Sequence, residues 1–337
     1  MTKGRYGLIL LALTLMLGLL FLLNVSVGSA ALSFAEVVQG LFSHTGTASE
    51  IVWQFRLPKA ITCIVAGSAL ATGGLLMQTL FRNPMAGPDV LGITSGASLF
   101  VALLLMAGRY ASVTSIIVPG AWSVAIAASL GGIMVFIVVI IIARYVRDNT
   151  SLLLVGLMLS AATSSIVSVL QFTSHADDLQ TFMIWMLGSV GSTNWAELGV
   201  LCSIVCCGLL ISISMVKVLN GMLLGESYAT NLGINTKRGR LAVVLVTGLM
   251  VGAVTAFCGP IAFVGLAVPH LIRLVVPANN HKILLPAVML GGGLLLLLCD
   301  MLAQMPGSRV LPLNAITSLI GAPVVIWMVI KAKRISV

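Results

Sequence analysis

Of 337 residues, 59% are hydrophobic and only 8% are charged, and the formal net charge is +9. Soluble domains carry about a quarter charged residues, so a water-covered surface is excluded and lipid must face most of the exterior. The basic residues do not gather with aromatics on one face, which excludes nucleic acid as the partner of that charge.

In chain order, the apolar runs predict an all-α integral membrane protein with about ten transmembrane helices, each of roughly 20 residues. Lys3 and Arg5 precede the first run, 6–27, and Gly28, Ser29 and Ala30 follow it. That layout resembles a secretory signal, but the run exceeds the apolar core of about 7–15 residues that a signal carries, so a retained span is expected. The stretch 28–58 holds Ser33 in an N-cap position ahead of helically spaced apolar residues up to Phe42. Spans at 60–81, 91–107, 117–143 and 151–172 follow. Segment 173–192, with Asp177, Asp178, Trp185 and Gly188, predicts a short interfacial helix. After a span at 193–216 comes 217–240, where Gly225 and Gly233 bracket a helix-length piece expected to lie along the membrane face. The remaining spans are 239–257, 262–276, 283–303 and 314–331; of these, 262–276 is the shortest and is rich in Gly and Pro.

An even number of spans puts both termini on one side. With the termini inside, Lys3, Arg5, Arg82, Arg144, Arg147, Lys217, Lys237, Arg238, Arg240, Arg273, Lys282, Lys331, Lys333 and Arg334 face inward, and only Arg56, Lys59, Arg109 and Arg309 face outward. That asymmetry obeys the positive-inside rule. Segment 217–240 is therefore expected inside, and 28–58 and 173–192 outside.

Few residues offer chemistry. Cys63, Cys202, Cys206, Cys207, Cys258 and Cys299 lie in apolar runs, with no His or carboxylate beside the 202–207 group to complete a metal shell. They read as packed thiols. The four His show no ligand spacing, and Asp177 and Asp178 beside His175 read as a solvated loop, so no metal and no cofactor is expected. Glu197 and Asp300 lie near the outer ends of their spans, and Asp300 reads as a structural hydrogen-bond partner. No carboxylate or His stands at mid-span, where a proton-driven carrier or an intramembrane hydrolase needs one. No Gly-Lys dipeptide occurs, so there is no Walker A loop.

Small residues recur at close spacing, as in Gly67 with Ala71, Gly92 with Gly96, Gly248 with Gly252 and Gly291–Gly293, which predicts a tightly packed bundle. The most irregular boundary is Arg82-Asn83-Pro84-Met85-Ala86-Gly87-Pro88. Two prolines four apart break the helix there, and the freed backbone must line protein or water.

Segment 56–98 runs from Arg56-Leu-Pro-Lys59 through Gly67, Gln78 and Arg82 to Pro88, then Leu91-Gly92-Ile-Thr-Ser95-Gly96-Ala-Ser98. It resembles the permeases of vitamin B12, haem and ferric-siderophore importers, the FecCD-type family of type II ABC importers. Trp185-Met-Leu-Gly188-Ser, Leu224-Gly225-Glu226 to Leu232-Gly233, Gly259-Pro-Ile-Ala-Phe-Val-Gly265 to Arg273, and Gly321-Ala-Pro323 recur in family order over nearly the whole chain.

The resemblance implies a single permease domain over 1–337, a transport subunit rather than an enzyme, passing an iron-siderophore, haem or cobalamin across a bacterial inner membrane. It implies a second permease subunit, with a homodimer favoured, two ATPase subunits beneath, and a periplasmic or lipoprotein substrate-binding protein above. On the same resemblance, Gly225, Glu226, Ser227, Ala229, Leu232 and Gly233 belong to the coupling helices in the ATPase cleft. Asn83, Met85, Asn149 and Thr150 form a cytoplasmic gate, although Asn149 and Thr150 also stand where a helix N-cap belongs. Arg56, Lys59 and Arg309 meet acidic groups of the binding protein, or else act as interfacial anchors. The family's Glu-Leu-Pro-hydrophobic-Gly run reads here Val310-Leu311-Pro312-Leu313-Asn314, so the roles of that Glu and Gly do not transfer. The alternative reading, a proton- or ion-coupled secondary transporter without an ATPase, lacks the midplane carboxylate it needs.

Overall fold

The computed structural model describes residues 3–28, 30, 32–43, 46–107, 121–145, 149–305 and 310–335, and among them there is no strand. The helices are α1 (Lys3–Ser26), α2 (Phe34–Ser43), α3 (Thr47–Ile51), α4 (Leu57–Phe81), α5 (Ile93–Ala102), α6 (Ala121–Tyr145), α7 (Asn149–Thr173), α8 (Ala176–Met186), α9 (Trp195–Ser214), α10 (Val216–Leu223), α11 (Glu226–Asn231), α12 (Thr236–Cys258), α13 (Val264–Val275), α14 (His281–Gln304) and α15 (Leu313–Ile335). Every expected span overlaps a helix, with non-helical backbone at the ends of several, and 117–120 lies outside the described residues. Seven stretches are long and apolar enough to cross a membrane, while Ile93–Met106, Val264–Val275 and Leu313–Trp327 are shorter apolar helices.

The short helices expected between spans are present. In α2, Ser33 and Glu36 form a reciprocal cap: the Ser33 N–H and hydroxyl both donate to Glu36 Oε2, at 2.7 and 2.8 Å. Those two bonds hold the Glu36 carboxyl below the usual carboxylate range. Helix α8 fills segment 173–192, and α11 sits between Gly225 and Gly233, whose φ values are +106° and +77°. Helix α10, at the start of segment 217–240, was not expected. The second span also begins earlier than its apolar run, because the π-helical turn Val52–Arg56 joins α3 to α4. Pro58 lacks an N–H and crowds the carbonyl one turn back, and a widened turn ahead of it accommodates both.

Helix α4 is the axis of the bundle, buried at almost every position from Leu57 to Leu80. It packs on α14, α12 and α13. Lipid is as apolar as Leu, so helices associate here by close packing rather than by leaving water, and the glycines set the spacing. A Cβ on Gly67 would fall on the Gly292 carbonyl, and one on Gly292 would fall on the Gly67 carbonyl. Gly96 on α5 and Gly131 on α6 exclude each other's Cβ in the same way, and Gly248 on α12 receives the Phe136 ring.

The shortest expected span has a physical reason to be short. Helix α13 has 12 residues, about 18 Å at 1.5 Å per residue, against a hydrocarbon core of about 30 Å. Non-helical backbone from Gly259 to Phe263 precedes the helix, and both of those residues have positive φ. Irregular backbone in an apolar bundle is tolerated only inside protein. Here Gly259 lies under the Trp185 carbonyl, and Phe263 packs on Gly321 of α15. Gly265, in the first turn of α13, then reaches the α4 backbone at Leu70 and Gly74.

A Cβ on Gly74 would collide with the Gly265 backbone. We expect Gly74→Ala to destabilise the purified protein by about 1–3 kcal/mol or more, read as a lower thermal midpoint in detergent. Gly199→Ala, which meets nothing within 4 Å, should leave the midpoint unchanged. Equal midpoints for the two variants would contradict the α4–α13 packing.

Candidate functional site

Polar groups concentrate at the two ends of α4. At its N-terminal end Arg56 is 4% exposed. Its Nη1 donates to the Val25 and Ser26 carbonyls at 2.9 Å each, and its Nη2 donates to the Ala30 carbonyl at 2.7 Å. The last carbonyls of α1 have no partner within their own helix, and a cation at a helix C-terminus is favourable, so Arg56 caps α1. One turn on, Lys59 Nζ lies 3.2 Å from Asp300 Oδ2 of α14, with both side chains nearly withdrawn from solvent. The same oxygen accepts from Asn24 Nδ2 at 2.8 Å and from Gln304 Nε2 at 2.5 Å. One carboxylate thus joins α1, α4 and α14. Asp300 is the structural partner expected of it. Arg56 and Lys59, read from the sequence as outward charges, turn inward to the carbonyls of α1 and to Asp300.

These groups floor a cavity of ≈ 530 Å³ whose walls include Phe55, Ser189 and Leu311. The loop 188–193 closes one side: Ser189 N–H donates to the Cys258 carbonyl at 2.8 Å, and Thr62 and Thr193 hydroxyls lie 2.8 Å apart. Asn314 stitches this end together. Its N–H donates to the Leu187 carbonyl at 3.1 Å, and its Oδ1 accepts from Ala262 N–H at 3.1 Å. Its place just after Pro312 at a helix start was the only hint of that role in the sequence. Arg309 lies outside the described residues.

At the other end of α4 the chain turns sharply. Asn83 N–H donates to the Gln78 carbonyl and Arg82 N–H to the Thr79 carbonyl, with Arg82 left-handed at φ 47°. This is a Schellman cap formed without glycine. Asn83 Oδ1 then accepts from Met85 N–H at 2.9 Å, which leaves Met85 39% exposed at the surface. Asn149 and Thr150 begin α7, against which the turn Pro88–Leu91 packs.

Helix α11 stands at this same end, with the Arg82 guanidinium against Gly225. Glu226 and Ser227 open it. Ala229 faces inward and is fully buried, while Leu224, Tyr228 and Leu232 are 62%, 54% and 58% exposed. Tyr228 lies on α11, while Leu224 closes α10 and Leu232 closes α11, so the three put apolar surface on and around this short helix. Residues that the sequence left unmarked support it. His281 and Thr79 lie 2.8 Å apart (Nε2 to Oγ1), and His281 Nδ1 lies 2.9 Å from Asn220 Oδ1. Among the described residues no cluster of His, Cys, Asp or Glu could hold a metal. Cys63, Cys258 and Cys299 are buried, and Cys206 and Cys207 are exposed on the outer face of α9.

The Lys59–Asp300 pair gives a direct test. Removing one partner of a buried ion pair costs about 3–5 kcal/mol, whereas replacing both by apolar groups is often neutral. Lys59→Met and Asp300→Leu should each lower the unfolding midpoint in detergent sharply, and the double variant should recover most of the loss. Additive losses would contradict the pairing.

The model of the FecCD transport family matches residues 15–331. The hemin transport system permease protein HmuU of Yersinia pestis is 34% identical over 330 residues, covering 95% of this chain and 96% of that protein. The vitamin B12 import system permease protein BtuC of Salmonella typhi is 34% identical over 292 residues, covering 84% of each. Among solved structures, an inward-facing transporter described as metal-chelate type ABC superposes with a TM-score of 0.83 at 30% identity, covering 97% of this chain and 99% of that one. PsaBC from Streptococcus pneumoniae shares the fold at 16% identity, with a TM-score of 0.53 over 87% of this chain and 94% of that one. A family match over this length, with the helical bundle and break points in place, makes the chain a member of the FecCD transport family.

Proposed function

We propose that this chain is the permease subunit of an ATP-driven importer that carries haem, a corrinoid or an iron-siderophore across the bacterial inner membrane. The observation that carries this reading is α11, a six-residue helix set between Gly225 and Gly233, both of positive φ, with Tyr228 and the flanking Leu224 and Leu232 exposed at the end of the bundle where α4 turns. A docking helix beside a gate is what a permease needs if another subunit supplies the force. The chain has no phosphate-binding loop of its own, so ATP hydrolysis belongs to two partner ATPase subunits.

In this reading the whole chain is one domain with ten crossings. The three shorter apolar helices cross too, with part of the path in irregular or π-helical backbone. The charge asymmetry puts both termini and α11 in the cytoplasm. A second copy of the chain completes the pathway. The opposite end, with its cavity at Lys59 and Asp300, receives the substrate-binding protein. Arg56 there gives the mouth its positive charge, Lys59 being neutralised by Asp300, and Arg309 adds an outward charge that steers an acidic partner. Asn83, Met85, Asn149 and Thr150 narrow the inner mouth. Haem and corrinoid stand first as substrates because HmuU and BtuC are named for hemin and vitamin B12.

The purified chain should hydrolyse no ATP. In a reconstituted complex with its ATPase subunits and binding protein, Glu226→Arg should lower transport per ATP by about tenfold or more, a coupling loss within the usual 1–3 kcal/mol, with the bundle still folded. Unchanged transport in that variant would remove α11 from the coupling role.

A further inference from the structure

A buried joint links α11 to the gate-bearing end of α4. His281 is the first residue of α14 and has no exposed surface. Its backbone N–H donates to Asn220 Oδ1 of α10 at 2.9 Å, which fixes that oxygen as an acceptor. The ring Nδ1, 2.9 Å from the same oxygen, therefore carries the proton. Nε2 lies 2.8 Å from the Thr79 hydroxyl of α4, whose single proton also faces the Leu75 carbonyl at 2.8 Å. A neutral imidazole that donates at Nδ1 and takes a share of that proton at Nε2 links both neighbours. Asn220 is itself held, its Nδ2 donating to Asn280 Oδ1 at 2.9 Å. One ring thus pins α4, α10 and α14 at a single point.

The joint continues in both directions. On one side, Gly221, next to Asn220, receives the Ile234 side chain and lies beside Ala229, and Ile234 N–H donates to the Ala229 carbonyl at 3.0 Å. Helix α11 therefore rests on α10 at the residue adjoining the joint. On the other side, the Thr79 carbonyl accepts the Arg82 N–H in the cap of α4, one turn before Asn83 and Met85. A second clamp, Arg273 Nη1 to Gln78 Oε1 at 2.7 Å, holds the same turn from α13 without touching α10. The His281 joint bridges α10 to the last turn of α4 through side-chain hydrogen bonds.

We propose that His281 and Asn220 are positioning residues that convey displacement of α11 to residues 82–92. The inference rests on the reading of α11 as the ATPase-docking element. Coupling needs a contiguous element that both sites bias, and in this packed interior a ring bonded at both nitrogens cannot let α10 shift without pulling on Thr79.

The test uses the assembled complex of permease, ATPase subunits and binding protein, with ATP and vanadate as the probe and hydrogen–deuterium exchange as the readout. In the native complex, nucleotide should change exchange at both 224–233 and 82–92. In His281→Leu and in Asn220→Ala the change at 224–233 should persist while that at 82–92 falls at least about fivefold, the lower bound of ordinary coupling. His281→Gln, which keeps one donor and one acceptor, should restore it. A native-size response at 82–92 in the Leu and Ala variants overturns the proposal. So does failure of both variants to assemble, which would make the joint a mere support. A native complex whose 224–233 ignores nucleotide removes the docking reading, and this inference with it.

Discussion

Asp300 gathers Lys59, Asn24 and Gln304 onto one carboxylate, and much of the bundle is organised around the reason it must. Hydrocarbon offers no partner to a charge, so an ionisable group inside the bundle is matched within the protein. Arg56 meets that demand at the end of α1, and Arg273 meets it at Gln78. The matching fixes α1, α4 and α14 to one another. It also ties up the side chains that an ion-driven carrier would need free to gain and lose a proton, which favours a driving force applied from outside the chain.

Helix α4 joins the two polar ends, and it can do so because its middle is made of small residues. The contacts at Gly67–Gly292 and Gly74–Gly265 bring backbone onto backbone, leaving little room for α4 to slide against α14 or α13. A rigid strut with a charge cluster at one end and a hydrogen-bonded joint at the other fits a permease in which a partner's motion reaches the gate.

The sequence made the spans legible because apolar runs bounded by prolines and charges carry most of the signal in a membrane protein. It was weakest at 262–276, and there the helix is short and is preceded by non-helical backbone at 259–263. Gly67, Ala71 and Gly291–Gly293 were recognisable as packing residues, but spacing within one helix does not name the helix opposite. Arg56 and Lys59 looked like outward charges because their partners lie far off in sequence: the carbonyls of α1 on one side and Asp300 on the other. The His281 joint stayed hidden for the same reason, since Thr79 and Asn220 are 202 and 61 positions away. Helix α10 went unread because a charged, Asn- and Gly-containing start made 217–223 look like loop.

Whether the driving force comes from outside is best measured by uptake of hemin and of cobalamin into proteoliposomes, with the chain alone and with ATPase subunits, binding protein and ATP. The account predicts accumulation of one of the two only in the full assembly, abolished when ATP is withheld and indifferent to a protonophore. Accumulation by the chain alone, collapsed by the protonophore, would contradict it.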